Sequence, residues 1–307
     1  MFSQADFTPP VVETGFFSES NIIQSIELKW DTWKKKQQSS ISNLWLSNPN
    51  FLPIRNWDID DPQSQTRAAL VFDLKKNKIL YEEKIDKILP IASITKLMTA
   101  LIVLNNIDIE EITVISKEAI AAYGVKGGLV INEKISVKNL LYALLMESSN
   151  DAAMVLAEAV ENSTGQNFVE LMNKKAEELG LGNTYFIDPS GYDPANISTA
   201  KDIVQLVAFS LNYPIIWQIL KTPTITLFSA DGEISHYWTN TDKLLNRLPN
   251  IVGGKTGYTE EAQGCLVLVI KQSQLQSNYL ITVVLGAQER FLETEKLIEW
   301  VEEAYKW

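Results

Sequence analysis

The stretch Arg67–Glu83, RAALVFDLKKNKILYEE, carries two short apolar runs on either side of Lys75-Lys76-Asn77. Polar turn residues between two apolar runs of strand length predict a β-hairpin. Downstream the period changes. From Ser93 to about Leu104, Val137 to Leu145, Asp151 to Val160, Phe168 to Leu179 and Ser198 to Leu211 the apolar residues recur at helical spacing, with Ser198 as the cap that opens the last segment. The tail returns to strands, ITLFSA, CLVLVI and YLITVVLGA, and then to a helix from about Arg290 to Tyr305. Strands at both ends with helices between them predict an α+β fold, its sheet built from the two ends of the chain with a helical block inserted over it.

Upstream of the hairpin the pattern is looser. Residues 1 to about 20 are mixed and Pro-containing, an irregular segment, whereas Ile22, Ile26, Trp30 and Trp33 fall on one helical stripe between Ser20 and Gln38. Two readings of that helix stand: it packs on the main domain, or, with its tryptophans and Lys34-Lys35-Lys36, it forms a membrane-proximal stalk. No apolar run reaches the roughly 18 residues of a membrane span, and the start lacks the charged, apolar, small-residue order of a signal peptide. Read literally this places the chain in the cytoplasm; a removed leader or anchor would leave the same sequence.

With 307 residues, 46% of them hydrophobic and 21% charged, the chain has the composition of an ordinary globular protein. Its net charge of -11 excludes nucleic acid as a partner, since phosphates require a basic face. A single cysteine, Cys265, excludes an intrachain disulfide framework and a multi-cysteine metal site, and it reads as a small apolar strand residue. The single histidine, His236, follows an Asp231-Gly232 turn and reads as part of an exposed hairpin arm. A hydrolase built from this chain therefore moves its protons without histidine.

The segment Ala92–Ala100, ASITKLMTA, offers another means. Residues i and i+3 of a helix are neighbours, so Ser93 and Lys96 lie side by side, either as a cap and a surface lysine or as a nucleophile and its base. Ser-x-x-Lys arises by chance about once in a chain of this length, and Ser198–Lys201 is a second copy, accounted for as capping. Two further segments decide between the readings. Ser148-Ser149-Asn150 occupies the break between two helices, and Lys255-Thr256-Gly257 enters a strand in IVGGKTGYTEEAQGCLVLVI. Lys-Thr-Gly alone is expected by chance in about one such chain in ten.

The three motifs in this order resemble the signature of penicillin-binding proteins and class A β-lactamases. From about Arg67 to Trp300 the chain resembles the low-molecular-weight penicillin-binding proteins, the serine-type D-alanyl-D-alanine carboxypeptidases, also in SSNDAA, LGLGNTYFIDPSGYD, STAKD, GGKTGYTEEAQGCLV and ERFLETEKLIEW. The resemblance implies an antiparallel sheet flanked by helices, a helical subdomain, and an active site in the groove between them. It divides the chain into an N-terminal extension over residues 1–50 and a catalytic domain over 51–307, with no C-terminal β-domain.

The chemistry follows from those residues. Lys96 can take the Ser93 proton only when neutral, which at an ordinary pKa of about 10.4 holds for roughly one molecule in 2,500 at pH 7. Lowering that value to 7 requires about 4 to 5 kcal/mol, which burial and the Lys255 cation can supply. Ser148 can relay a proton between the Lys96 amine and the leaving group, and Asn150 can hydrogen-bond Lys96 or a substrate amide. Lys255 and Thr256 suit a terminal carboxylate, and Gly257 leaves room for substrate along the strand. By resemblance the backbone N–H groups of Ser93 and Tyr258 form the oxyanion hole, and Arg290 matches an arginine that holds the substrate carboxylate; a solvated helix-start cation is its other reading. The resemblance implies no cofactor and no metal, a stem peptide ending in D-Ala-D-Ala as substrate, β-lactams as inhibitors, and action outside the cytoplasmic membrane with any anchor outside this chain. A β-lactamase is disfavoured because NTYFIDPSGYD offers Asp188 and no glutamate lies between Leu179 and Ile234 except Glu233. A non-catalytic sensor of peptidoglycan or β-lactam is the reading from another class.

Overall fold

The hairpin at Arg67–Glu83 is present as β1 (Ala68–Asp73) and β2 (Lys78–Glu83) in a computed structural model that describes residues 53–272 and 278–307. Asn77 turns the chain between them at φ 51°, a left-handed conformation that asparagine tolerates. A second hairpin pairs β3 (Thr224–Phe228) with β4 (Ser235–Thr239). The tail supplies β5 (Ile251–Thr259), β6 (Gln263–Lys271) and β7 (Tyr279–Ala287). These join the first hairpin in one antiparallel sheet ordered β5-β6-β7-β1-β2, so the sheet is built from both ends as expected.

Both faces of the sheet are covered, which explains why CLVLVI reads as a continuous apolar run. Alternate residues go to opposite sides. Cys265, Val267 and Val269 join the core under the helical block, while Leu266, Leu268 and Ile270 meet Leu297, Ile298 and Val301 of the last helix. Cys265 is fully buried, and burial pushes its thiol up to about 11, so it stays protonated and packs as an apolar group.

Besides a single helical turn at Lys117–Ile120, the α-helices among the described residues are α1 (Lys96–Asn106), α2 (Val137–Tyr142), α3 (Asn150–Thr164), α4 (Phe168–Glu178), α5 (Ala200–Ser210), α6 (Pro214–Leu220) and α7 (Arg290–Ala304). Helix α1 is buried on every side from Lys96 to Val103, the pattern of a central helix with no polar face. A 3-10 turn, Ala92–Thr95, leads into it, and a π-helical turn, Ala143–Glu147, ends α2. No single helix among the described residues is long and apolar enough to cross a membrane.

The structure corrects two expectations and adds one helix. The cap of α5 is Thr199, whose hydroxyl accepts from Asp202 N–H, while Ser198 lies in a short strand and pairs with Thr184. The hairpin arm exists, but His236 is buried: it shares the inward face of β4 with Trp238, stacks on that ring at 5.1 Å and lies 2.7 Å from Glu133 Oε1. Helix α6 went unread although its Pro214 stands at the first helical turn, where proline's missing N–H costs nothing. The extension expected over residues 1–50, with its helix, lies outside the described residues.

Candidate active site

Sequence dictates how the Ser93–Lys96 pair is held. The 3-10 turn places Ser93 half-exposed at the end of α1 and turns Lys96 inward, where it is fully buried. Lys96 Nζ lies 3.0 Å from Ser93 Oγ, 2.7 Å from Asn150 Oδ1 and 2.6 Å from the Ser190 carbonyl. Burial pushes the Lys96 amine down to about 7 against the opposing pull of the Asp188 and Asp151 carboxylates.

The second motif sits where the π turn meets α3. Ser148 takes a left-handed conformation (φ 61°), and Ser149 caps α3 by accepting from Ala152 N–H. Asn150 is thereby held over α1, its Nδ2 donating to the Tyr123 carbonyl and its N–H to the Val125 carbonyl. Ser148 Oγ accepts from Lys255 Nζ at 2.9 Å, so the hydroxyl expected to serve Lys96 is bonded to the other lysine.

The third motif lies in the middle of β5 rather than at its start. Lys255 is buried and also donates to the Thr256 carbonyl; Thr256 shares a 2.7 Å hydrogen bond with Thr241. Burial, followed by the positive charges of Lys96 and Arg290, holds Lys255 well below the usual lysine range. A Cβ at Gly257 would lie 3.0 Å from Ser93 N and 3.1 Å from Ala92 Cβ. Glycine here lets the strand press against the Ser93 turn, a closer constraint than the substrate clearance expected from the sequence. Tyr258 follows with its ring exposed. Arg290 opens α7 half-buried, its guanidinium 4.8 Å from the Phe291 ring centre and its buried Nε without a partner among the described residues, which sets aside the fully solvated reading.

Sequence reasoning missed three contributors. The Ser190 carbonyl is a main-chain atom delivered by the turn DPSGYD, which Asp188 organises by accepting from Ser190 Oγ and from the N–H groups of Ser190, Gly191 and Asp193. Those bonds outweigh burial and hold the Asp188 carboxyl below its ordinary value. Tyr123 and Tyr192 stack at 6.1 Å, joining the loop that holds Asn150 to the loop that holds Ser190. Asp242 is buried near Lys255 and Arg290, its Oδ2 without a hydrogen-bond partner among the described residues, and burial pushes it up to about 6. Only Asp188 gave a sequence signal, as the head of a turn.

The family model for D-alanyl-D-alanine carboxypeptidase matches residues 55–289. The chain belongs to that family. As a D-alanyl-D-alanine carboxypeptidase family member it is a serine-type hydrolase with the α+β transpeptidase-like fold. It is 36% identical over 239 residues, 76% of each chain, to a D-alanyl-D-alanine endopeptidase of Pseudomonas aeruginosa. It is 31% identical over 252 residues, 79% of this chain and 63% of the relative, to the D-alanyl-D-alanine carboxypeptidase DacF of Bacillus subtilis. Among solved structures, the Streptomyces K15 DD-transpeptidase superposes with a TM-score of 0.74 at 26% identity, covering 80% of this chain and all of that one. A Listeria monocytogenes penicillin-binding protein D2 with bound cefotaxime gives 0.68 at 30% identity, covering 79% and 99%.

Proposed function

We propose that this family member removes the terminal D-Ala from peptidoglycan stem peptides through an acyl-enzyme on Ser93, outside the cytoplasmic membrane, and that β-lactams acylate the same oxygen. The observation that carries the reading is the set of partners around Lys96. A neutral amine has two N–H donors and one lone pair; two of the three neighbours, Asn150 Oδ1 and the Ser190 carbonyl, only accept. With both donors used there, the lone pair is left for the Ser93 hydroxyl at 3.0 Å. That is the arrangement of a base.

The steps then balance without histidine. Ser93 Oγ attacks the carbonyl carbon of the penultimate D-Ala as its proton passes to Lys96 Nζ. The oxyanion is met by the N–H groups of Ser93 and Tyr258, donors that typically matter by about 10²- to 10³-fold each. The C–N bond breaks as the proton held by Lys96 reaches the leaving amine by way of Ser148, which leaves Lys96 neutral, and free D-Ala departs. Water then attacks the ester carbonyl as its proton passes to Lys96, and Lys96 returns that proton to Ser93 Oγ as the shortened peptide leaves. Lys255 and Thr256 hold the substrate's terminal carboxylate, with Arg290 adding positive charge at the head of α7. Endopeptidase action on D-Ala cross-links is the second reading, favoured by the name of the Pseudomonas aeruginosa relative; it uses the same bond chemistry.

Intact-mass spectra after exposure to a fluorescent penicillin test this together with D-Ala release from a diacetyl-Lys-D-Ala-D-Ala peptide. The expected result is an adduct and D-Ala release by the native chain and neither by Ser93→Ala. An adduct on Ser93→Ala would remove Ser93 from the role. Cleavage of cross-linked dimers with no release from the linear peptide would select the second reading.

A further inference from the structure

Two buried donors on β4 reach the same loop. His236 and Trp238 share the inward face of that strand, their rings stacked 5.1 Å apart and 12° from parallel. His236 Nε2 lies 2.7 Å from Glu133 Oε1, a carboxyl oxygen that accepts, and Trp238 Nε1 donates to the Gly127 carbonyl at 2.8 Å. Glu133 passes the tie on, its Oε2 accepting from Val130 N–H. From Ala121 to Glu133 the chain has neither helix nor strand, so side-chain bonds take much of the place of a ladder there.

The other side of this loop lies on the second motif. The Tyr123 carbonyl accepts from Asn150 Nδ2 at 2.6 Å, the Val125 carbonyl accepts from Asn150 N–H at 2.8 Å, and Gly127 N–H donates to Asp151 Oδ1 at 2.9 Å. A Cβ at Gly124 would fall 2.5 Å from Asn150 Nδ2, so loop and amide are in direct contact.

An asparagine amide has one accepting end and one donating end. Because the Tyr123 carbonyl takes the donating end, Oδ1 is the end turned to Lys96, 2.7 Å from Nζ. A loop that withdrew would end that selection. The reversed amide would point N–H groups at Lys96 and compete with the Ser93 hydroxyl for its lone pair. The clamp therefore bears on the base from the far side of the loop.

The strand that supplies the two donors is itself tied to the rest of the site. Thr239 N–H donates to Glu147 Oε2 and Thr241 N–H to the Met146 carbonyl, both in the π turn, while Thr241 Oγ1 lies 2.7 Å from Thr256 Oγ1. Residues 236–241 thus join the loop, the turn before Ser148 and the third motif.

We propose that His236 and Trp238 are positioning residues for the reaction: through Glu133 and the Gly127 carbonyl they hold the loop that turns the accepting end of Asn150 toward Lys96. The inference rests on the reading of Lys96 as the base, and it gives the chain's one histidine a part in the reaction that needs no proton transfer.

The experiment measures the second-order rate of penicilloyl adduct formation in the native chain, His236→Leu, His236→Gln and Trp238→Phe, each also combined with Asn150→Ala. The rate constant comes from the time course, so a smaller folded fraction lowers the amplitude and leaves the constant unchanged. Leucine fills the space without a donor, glutamine offers an N–H near the position of the ring Nε2, and phenylalanine keeps a ring without the N–H. His236→Leu is expected to lose about 10- to 100-fold and Trp238→Phe about 3- to 10-fold, with His236→Gln recovering most of the loss. Trp238→Phe carries the test if His236→Leu does not fold. Combined with Asn150→Ala, each loss should shrink below about twofold. Native rates in both His236→Leu and Trp238→Phe, a glutamine variant no better than leucine, or undiminished losses alongside Asn150→Ala overturn the clamp while leaving Ser93 and Lys96 in their roles. Absence of an adduct on the native chain overturns the proposed function, and this inference with it.

Discussion

On the proposed reading, Lys96 can act as a base only because the fold removes water from it. Burial brings its amine to about 7, so the neutral fraction rises with pH through that value and the acylation rate should rise with it. The second-order rate of penicilloyl adduct formation is expected to show an acidic limb centred near pH 7. Lys255 is also held below the ordinary lysine range, so loss of its cation should bring the alkaline limb below that range too. Lys96→Arg keeps a charge and removes the base, because a guanidinium does not deprotonate; the expected loss is about 10²- to 10⁴-fold. A rate that is flat from pH 5 to 9, or an active Lys96→Arg, would remove Lys96 from the base role.

At the scale of elements, the active-site geometry depends on one close approach between a turn and a helix start. Gly191 has φ 77°, and a Cβ there would fall 2.0 Å from the Ala92 carbonyl oxygen. Gly191→Ala must push the turn Asp188–Asp193 away from the 3-10 turn and draw the Ser190 carbonyl off Lys96. We expect a loss of about 1–3 kcal/mol in stability and a fall in adduct formation of more than about tenfold, read by thermal melting and by penicillin labelling of the folded fraction. Labelling at the native rate would show that the approach is not required. The same contact shows why legibility stopped where it did. Helices α1, α3, α4 and α7 were readable because their apolar spacing is local, and the three motifs because side-chain type carries their chemistry. The Ser190 carbonyl left no trace of its role because every residue has a carbonyl, and only tertiary packing says which one meets an amine. His236 was misread for the opposite reason. Its partner Glu133 lies in a distant segment, although Trp238, two residues along the same strand, was a local sign that this face turns inward.

Across the whole molecule, the proposed site is assembled from segments that the chain makes far apart: Ser93 and Lys96, then Ser148 and Asn150, then Ser190, then Lys255 to Tyr258. The sheet beneath them closes only when β7 inserts between β6 and β1, pairing Ile281 with Phe72 and Val267 with Val283. A chain ended after Lys271 keeps every motif yet lacks that strand and α7, leaving the apolar faces of β1 and β6 uncovered. It should take up no fluorescent penicillin in a gel-based labelling assay; a labelled band would show that the site can assemble without the closed sheet. During synthesis the same geometry sets an order of events. The helical segments leave the ribosome first and can bury their own apolar faces, whereas pairing across roughly two hundred residues is slow to find. Ser93 is therefore made early, and the site around it is completed last. On the proposed reading, a half-made chain carries Ser93 without the strand that would present substrate to it, so neither cell-wall peptide nor a β-lactam should capture the protein until β7 is in place.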